Sequence, residues 1–302
     1  MLHAEGVYKR YGDVVALAGL DLAVFPGEIA GLIGHNGAGK TTFVEIAGGL
    51  VRADAGRVLV AGFDVVGQAR SARRSLGIAP QEMGLYPSAT VRENLLLFGG
   101  LAGLRRRGLV REFDDLASAL HLEDVLDRRV AVLSGGQRRR AQTATALISR
   151  PAVLLLDEPT VGADPATREA VLAVVRSRAE EGAAVCYTTH YLPELETLNA
   201  TLAVVRAGRV VARGPRAVLL AQLPGHVRMR FAGPVPRELL LGGGRRRIVD
   251  EELLVDTDDP ARVVGELVSS VVGSAHLTSV QVLQPTIDDL YRRLAIEVDR
   301  AG

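Results

Sequence analysis

The chain has 302 residues, of which 48% are hydrophobic and 24% are charged, and its formal net charge is +1. This composition excludes a disordered chain, and the small net charge gives no general attraction to nucleic acid or to an anionic membrane. The single cysteine, Cys186, excludes an internal disulfide and lies in an apolar segment, so we expect a core residue in a reducing compartment.

The first predicted elements are strands that lead into a glycine-rich loop. Residues 1–30 alternate apolar and polar side chains, as in Leu20–Val24, which predicts antiparallel strands. Glu28–Ile33 is a short apolar run that is typical of a buried parallel strand. The loop that follows fits the pattern G-x-x-x-x-G-K-[ST], and a helix is predicted after it from Thr41 to Ala47.

This loop has the chemistry of a triphosphate site. Its glycines permit a tight turn, its backbone N–H groups can point at an anion, and the helix adds its positive end. Lys40 supplies a point charge for the outer phosphates, and the Thr41 hydroxyl can ligate Mg²⁺. A glycine-rich turn with a nearby lysine is the alternative, which the strand–loop–helix context disfavours. The predicted nucleotide-binding residues are Gly34, His35, Asn36, Gly37, Ala38, Gly39, Lys40, Thr41 and Thr42.

The middle of the chain has mainly helical patterns. Residues from about 82 to 149 are predicted to form a helical insert, in which Ser134 is the N-cap of a helix that ends near Ile148. The cluster Arg138–Arg140 is interpreted as a solvated face of that helix. Strands that alternate with helices predict a parallel α/β sheet. Further strands are predicted at Arg57–Gly62, Leu76–Pro80, Val153–Leu156 and Ala183–Thr188.

A small α+β domain is predicted for residues 222–302, after a first domain of residues 1–221. Gly242–Gly244 is interpreted as a loop within it, and Arg245–Arg247 as a solvated surface cluster. The predicted elements are strands at His226–Phe231, Leu253–Asp256 and Thr278–Leu283, a helix at Ala261–Val271, and a last helix from Thr286 to about Ile296.

An acidic pair, Asp157 and Glu158, ends the strand predicted at Val153–Leu156. The carboxyl ends of parallel strands meet at one edge of a sheet, so we expect both carboxylates beside the phosphate loop. There Asp157 would hold the Mg²⁺ shell, and Glu158 would orient or deprotonate the attacking water. An acidic pair that opens a surface turn before Pro159 is the alternative.

Five segments resemble, in their order along the chain, the motifs of an ATP-binding-cassette (ABC) ATPase. Leu-Ser-Gly-Gly-Gln is the signature that separates this family from other phosphate-loop enzymes. The resemblance covers about residues 1–215 and implies a RecA-like α/β core with an antiparallel β subdomain and a helical insert. The segments are the phosphate loop, Ala79–Glu82, Leu133–Gln137, Leu154–Thr160 and Thr189–His190.

The resemblance implies roles for further residues of an ATP site. Tyr11 resembles the aromatic that stacks on adenine, with a core or surface tyrosine as the alternative. Gln81 resembles the glutamine that senses Mg²⁺ and water, so Thr41, Gln81 and Asp157 are the implied metal set. His190 resembles the histidine that contacts the γ-phosphate, which makes Glu158 and His190 the candidate catalytic pair.

The resemblance at the signature segment implies that the protein acts as a pair of subunits. Ser134 and the N–H groups that follow it open a helix and so form a second anion site, far along the chain from the first. This site is free to bind the γ-phosphate of ATP held by another subunit. The resemblance implies a head-to-tail dimer held together by ATP, and the intact motifs favour a homodimer. The partner-facing residues are Ser134, Gly135, Gly136, Gln137 and Asp164.

The closing segment Gln284–Tyr291 resembles the tail of exporter ATPases of the daunorubicin-resistance type, with a terminal amphipathic helix of no special role as the alternative. It implies an ATPase that drives a separate multi-span permease, bound around residues 82–108. The sequence shows no apolar signal region and no stretch of roughly 18 apolar residues, so we expect a cytoplasmic protein held by its permease at the inner face of the cell membrane. A soluble ABC ATPase acting on ribosomes or nucleic acid is the alternative. A single ATPase domain without long heptads disfavours it, and we expect no nucleic acid partner.

Overall fold

The computed structural model describes residues 1–104, 106–241, 245–271, 277–287, 289–290 and 293. The chain divides into two compact units, Met1–Pro215 and Arg216–Gly302. The described residues of the first unit form two sheets, and those of the second form one. No helix among the described residues is long and apolar enough to cross a membrane.

A four-stranded antiparallel sheet contains the N-terminal strands of the first unit, in the order β2-β1-β4-β5. The predicted period-two pattern has a physical basis here, because Leu20, Leu22 and Val24 on one face of β2 are buried in the core. The strands are β1 Leu2–Tyr11, β2 Val14–Val24, β4 Ala55–Val60 and β5 Phe63–Asp64.

The central sheet has six strands in the order β10-β9-β3-β8-β7-β6, and all neighbours except β10 and β9 run parallel. Every residue of β3, β7 and β8 is buried, which explains their continuous apolar sequences. Cys186 is fully buried in β8, and burial raises the pKa of its thiol to about 12. The α/β fold class is confirmed. The strands are β3 Ile29–Ile33, β6 Leu76–Ala79, β7 Val153–Asp157, β8 Ala184–Thr188, β9 Thr201–Arg206 and β10 Arg209–Pro215.

The described residues of the predicted insert form the three α-helices α3, α4 and α5, and Ser134 is confirmed as the N-cap of α5. The interpretation of Arg138–Arg140 as a solvated face is wrong. These side chains are half-buried, because carbonyl oxygens of adjoining loops accept hydrogen bonds from Arg139 and Arg140. The first unit has the helices α1 Lys40–Ala47, α2 Ala69–Arg74, α3 Val91–Leu101, α4 Arg106–Ala119, α5 Gly135–Leu147, α6 Pro165–Glu180 and α7 Pro193–Thr197.

The second unit has a four-stranded antiparallel sheet in the order β12-β13-β11-β14, and helix α9 shares its apolar core. Arg245–Arg247 belongs to the edge strand β12, where charged side chains are tolerated and prevent further strand pairing. Gly242–Gly244 and most of the predicted last helix lie outside the described residues. The elements are α8 Arg216–Leu220, β11 Gly225–Phe231, β12 Arg245–Val249, β13 Glu252–Thr257, α9 Pro260–Val271 and β14 Leu277–Leu283.

Candidate active site

A pocket of about 650 Å³ lies where parallel strands of the central sheet end. The glycine-rich loop follows β3, Glu158 follows β7, and His190 comes two residues after the end of β8. The carboxyl edge of a parallel sheet is where α/β proteins bind nucleotides. The pocket is lined by Val14, Ala16, Asn36, Gly37, Gly39, Lys40, Thr41, Thr42, Gln81, Glu158 and His190.

Close backbone contacts require two of the loop glycines. A Cβ at Gly34 would lie 2.5 Å from the carbonyl oxygen of Val205, and a Cβ at Gly39 would lie 2.5 Å from that of Ala16. Gly39 also has a φ of 107°, a conformation that glycine adopts without strain. These contacts hold the loop against neighbouring strands at the start of α1, and a helix N-terminus attracts anions.

Lys40 extends back over this loop. Its Nζ donates to the carbonyl oxygen of Gly34 at 2.7 Å and to that of His35 at 3.2 Å. Burial lowers the pKa of Lys40, and the carboxylates of Glu158 and Asp157 oppose that shift. The Lys40 ammonium therefore donates its hydrogen bonds to neutral carbonyl oxygens. Phosphate oxygens would replace these acceptors, because charged oxygens accept stronger hydrogen bonds.

Asp157 ends β7 and is 1% exposed. The Thr188 hydroxyl donates to its Oδ1, whereas its Oδ2 is buried and has no hydrogen-bond partner among the described residues. A buried carboxylate oxygen without a donor is costly unless a cation lies beside it. Thr41 and Gln81 line the pocket, so the oxygen ligands fit a hard divalent cation such as Mg²⁺.

Glu158 has a left-handed backbone conformation with φ of 51°. Its N–H donates to the carbonyl oxygen of Thr188 at 3.2 Å and to the hydroxyl of that residue at 3.0 Å, which stabilises the strained backbone. Its Oε1 lies 3.2 Å from Nδ1 of His190, and its side chain is 16% exposed against 68% for the histidine. A carboxylate placed in this way can orient or deprotonate a water molecule.

Thr188 was missed by sequence reasoning, although it contacts both carboxylate residues of the site. Its hydroxyl donates to Asp157, and its backbone and side-chain oxygens accept from the N–H of Glu158. Its place directly before Thr189–His190 was the one signal in the sequence. Neighbouring parallel strands end at the same edge of a sheet. A hydroxyl at the end of one buried strand is therefore expected to contact a carboxylate at the end of the next.

Helix α5 holds the loop that contains Gln81. Nε2 of Gln142 donates to the carbonyl oxygens of Pro80 and Glu82 at 2.7 and 2.9 Å, and Nη1 of Arg139 donates to that of Gln81 at 3.0 Å. Gln142 is 1% exposed. No role was predicted for Gln142, and Arg139 was interpreted only as part of a solvated face. A glutamine on the buried side of a helix was the available signal, since buried polar groups require partners.

The signature segment forms the start of α5. Ser134 Oγ accepts from the N–H of Gln137 at 3.2 Å, and Gln137 Oε1 accepts from the N–H of Ser134 at 3.0 Å, which is a capping box. A Cβ at Gly135 or Gly136 would meet nothing within 4 Å, so the backbone there is open on one side. An open helix N-terminus can receive an anion.

Several predicted site residues do not line the pocket. Asp164 caps α6, where it accepts from the N–H and the hydroxyl of Thr167, and these hydrogen bonds lower its pKa. Tyr11 is 46% exposed at the end of β1, and the Lys9 ammonium lies 5.2 Å from the centre of its ring. Within the described part of the chain, the other predicted residues outside the lining are Gly34, His35, Ala38, Ser134, Gly135, Gly136, Gln137 and Asp157.

A phosphate loop after a buried strand, an acidic strand end and an open pocket define a phosphate-loop nucleotide-binding domain. Residues 17–161 match the protein family described as ABC transporter. The chain is 37% identical over 294 residues to the Nod factor export ATP-binding protein I of Rhizobium etli, covering 95% of this chain and 91% of that protein. It is 39% identical over 303 residues to the daunorubicin resistance ATP-binding protein DrrA3 of Streptomyces coeruleorubidus, covering 96% and 94% of the two chains.

Solved structures agree with the sequence matches. A structure described as the ATP-binding subunit of an ABC transporter superposes with a TM-score of 0.70 at 27% identity, covering 74% of this chain and 92% of that one. The cassette MJ0796 shares the fold with a TM-score of 0.66 at 24% identity, over 71% of this chain and 98% of that one. The chain belongs to the ABC transporter family as an ATP-binding subunit. It is therefore an ABC ATPase, which binds and hydrolyses ATP.

Proposed function

We propose that the chain is the motor subunit of a two-component exporter of drug-like or other small molecules, and that it drives a separate membrane permease. The observation that carries this proposal is similarity over nearly the whole chain to subunits named for export or resistance. The linearmycin resistance ATP-binding protein LnrL of Bacillus subtilis is a third such relative, 32% identical over 304 residues and covering 97% of this chain and 98% of that protein. None of these three is named for ribosomes or nucleic acid, so the soluble alternative gains no support.

The residues of the site would have separate roles in ATP hydrolysis. The loop N–H groups and Lys40 would bind the phosphates, and Mg²⁺ would be held by Thr41, Gln81 and Asp157. When bound, the metal would neutralise negative charge on the phosphates. Glu158 would orient or deprotonate the attacking water, and its neighbour His190 at 3.2 Å would contact the γ-phosphate. We also propose that the ring of Tyr11 stacks on adenine.

A homodimer is proposed because one chain carries both halves of a composite site. The pocket and the Ser134 end of α5 share no lining residue within the described ranges. Ser134, the two glycines after it and Gln137 would bind the γ-phosphate in the partner's pocket. Asp164 would face the partner from the start of α6, where it is exposed.

The insert offers an apolar surface for the permease. Leu97 and Leu101 lie one turn apart on α3 and are 42% and 70% exposed. Met83 and Tyr86, which follow Gln81 along the chain, are 41% and 55% exposed. Contiguous exposed apolar patches mark protein–protein contact sites, and the two leucines on one face of α3 would form part of such a patch. Such a contact would hold the ATPase at the cytoplasmic face of the membrane. We also propose that residues 1–221 form the ATPase domain and that residues 222–302 form an accessory domain.

The test is co-purification of the tagged Glu158→Gln variant from detergent-solubilised membranes of its host, with ATP and Mg²⁺ present. A Lys40→Met variant purified in parallel is the control, since it lacks the charge that binds the outer phosphates. We expect a protein with several apolar spans to accompany both variants and the ATP-trapped complex to contain two ATPase subunits. Recovery from the soluble fraction with ribosomes or nucleic acid would contradict the proposal.

A further inference from the structure

A buried carboxylate outside the pocket connects the segments that carry the proposed catalytic and partner-facing residues. Glu194 lies in α7 and is 2% exposed. Its Oε1 accepts from the Thr160 hydroxyl at 2.6 Å and lies 3.0 Å from Nε of Arg168. Its Oε2 accepts from the Tyr187 hydroxyl at 3.0 Å.

Each partner of Glu194 belongs to a different segment of the site. Thr160 lies between Glu158 and Asp164, and the N–H of Ala163 donates to its carbonyl oxygen at 3.0 Å. Tyr187 directly precedes Thr188, the residue that contacts both strand-end carboxylates. The hydrogen bonds to Glu194 therefore reach the two strand ends from which the site is built.

The third partner belongs to the helix that Asp164 caps. Arg168 is one turn into α6, and its N–H donates to the carbonyl oxygen of Asp164 at 2.9 Å. Its guanidinium lies 4.6 Å from the centre of the Tyr191 ring, beside His190. The carboxylate of Glu194 and this cation thus connect the histidine loop (residues 189–192) with the start of α6.

The histidine loop is short and is fixed at both ends. β8 ends at Thr188 and α7 begins at Pro193, so His190 lies in a four-residue connection. The N–H of Glu194 donates to the carbonyl oxygen of Tyr191 at 3.2 Å. The backbone of Glu194 is therefore joined to the loop that places His190 3.2 Å from Glu158, so a displacement of Glu194 would be transmitted to that loop.

The electrostatics of this cluster favour one rigid arrangement. Burial raises the pKa of Tyr187 well above its ordinary value, and the charge of Glu194 adds to that shift. The tyrosine is consequently a hydroxyl donor throughout the physiological range. A buried carboxylate that is paired with Arg168 and accepts from two hydroxyls has defined geometry, because each contact is costly to leave unmade.

We propose that Glu194 is a positioning residue for ATP hydrolysis, which ties the His190 loop to the segment from Glu158 to Asp164 so that they move together. The proposal rests on the roles proposed above for Glu158 and His190. Glu194 acts through other residues and does not touch the nucleotide. Its loss misplaces His190 relative to the phosphate and the water, and a misplacement of about 1 Å in an active site costs on the order of 10²-fold in rate.

The central variant is Glu194→Gln, which keeps the size of the side chain and an oxygen acceptor but removes the charge that pairs with Arg168. We expect kcat for ATP to fall by about 10- to 100-fold, with KM for ATP changed by less than about twofold. Thr160→Val and Tyr187→Phe remove one hydroxyl donor each and keep the buried volume. We expect each to lower kcat in the same direction by a smaller factor.

The matched control is Glu112→Gln. Glu112 is also buried, at 5% exposed, and is paired with Arg150 and Arg178, but none of these three residues lines the pocket. We expect its substitution to lower Tm and to leave kcat within about twofold of the wild type, since it acts on stability alone. If Glu194→Gln behaves in the same way, Glu194 is merely structural and the proposal is overturned.

A double-mutant cycle separates this proposal from the proposed function. If Glu194 works through His190, the Glu194→Gln effect on kcat disappears in the His190→Ala background. Additive losses would overturn the positioning role. If His190→Ala itself hydrolyses ATP at the wild-type rate, the role proposed for His190 fails, whatever Glu194 does.

Discussion

The side-chain amide of Gln142 donates to the carbonyl oxygen of Pro80 at 2.7 Å. It also donates to that of Glu82 at 2.9 Å, so it holds the backbone on both sides of Gln81. Gln142 lies in α5, whose first turn carries Gly135 and the open end of the signature. One helix therefore joins the loop that lines the ATP pocket to the surface proposed for a partner's ATP.

Gln142→Leu is predicted to uncouple these two surfaces. The substitution leaves the carbonyl oxygen of Glu82 without its side-chain donor, at a cost of about 1–3 kcal/mol if it stays buried, and leaves that of Pro80 with Arg139 alone at 3.3 Å. The Gln81 loop is therefore held less firmly by α5. We expect weaker ATP-dependent dimerisation and a loss of cooperativity in the ATPase rate. Thr145→Ala, which removes a hydroxyl that donates to the backbone of the same helix, is the control and should change neither. Equal behaviour of the two variants would contradict the coupling.

Leu101→Asp is predicted to separate the ATPase from its permease. Leu101 is 70% exposed on α3, so a charge there costs little in the isolated subunit but is desolvated in an apolar contact. We expect loss of the permease from detergent extracts together with an unchanged basal ATPase rate of the purified subunit. Val218→Asp, at a position 54% exposed in the second unit, is the matched control. Retention of the permease by Leu101→Asp would place the contact elsewhere.

Cys186 is predicted to be unreactive in the native protein. Burial raises the pKa of its thiol to about 12, and the thiolate is the form that reacts with alkylating and disulfide reagents. A folded-state pKa above the unfolded one leaves almost no thiolate at pH 8. We expect no labelling by a thiol-specific reagent at that pH, and labelling of the single cysteine once denaturant unfolds the chain. Rapid native labelling would show that β8 is not buried as described.

Much of the site was predictable from the sequence, because its chemistry is carried by contiguous segments. Glycines before a lysine predict a phosphate loop, and an acidic pair after an apolar strand predicts carboxylates at the edge of the sheet. Neither prediction requires knowledge of tertiary contacts. Thr188, Gln142 and Glu194 were not predictable in this way. Each of these residues acts through a partner that is distant in the sequence. The residues next to a single threonine, glutamine or glutamate do not predict which distant residue it contacts.

The fold shows the same division between local and long-range information. Apolar runs predicted the buried strands β3, β7 and β8, since strands that are covered on both faces need continuous apolar sequence. The edge strand β12 was missed because three successive arginines, Arg245–Arg247, carry no apolar alternation. Tyr11 was assigned to the ATP site by resemblance, and its ring lies outside the described lining of the pocket.

The most direct test of an ATP-driven dimer with two working sites is the number of ATP molecules retained by the Glu158→Gln variant. Removal of a general base lowers the hydrolysis rate by about 10²- to 10⁴-fold, so the ATP-bound state should persist through size-exclusion chromatography. Glu169→Gln, at an exposed glutamate of α6, is the matched control and should hydrolyse its ATP. We predict a dimer of Glu158→Gln that retains two ATP molecules when Mg²⁺ is present. A monomer, or a dimer that retains one ATP at saturation, would contradict the account.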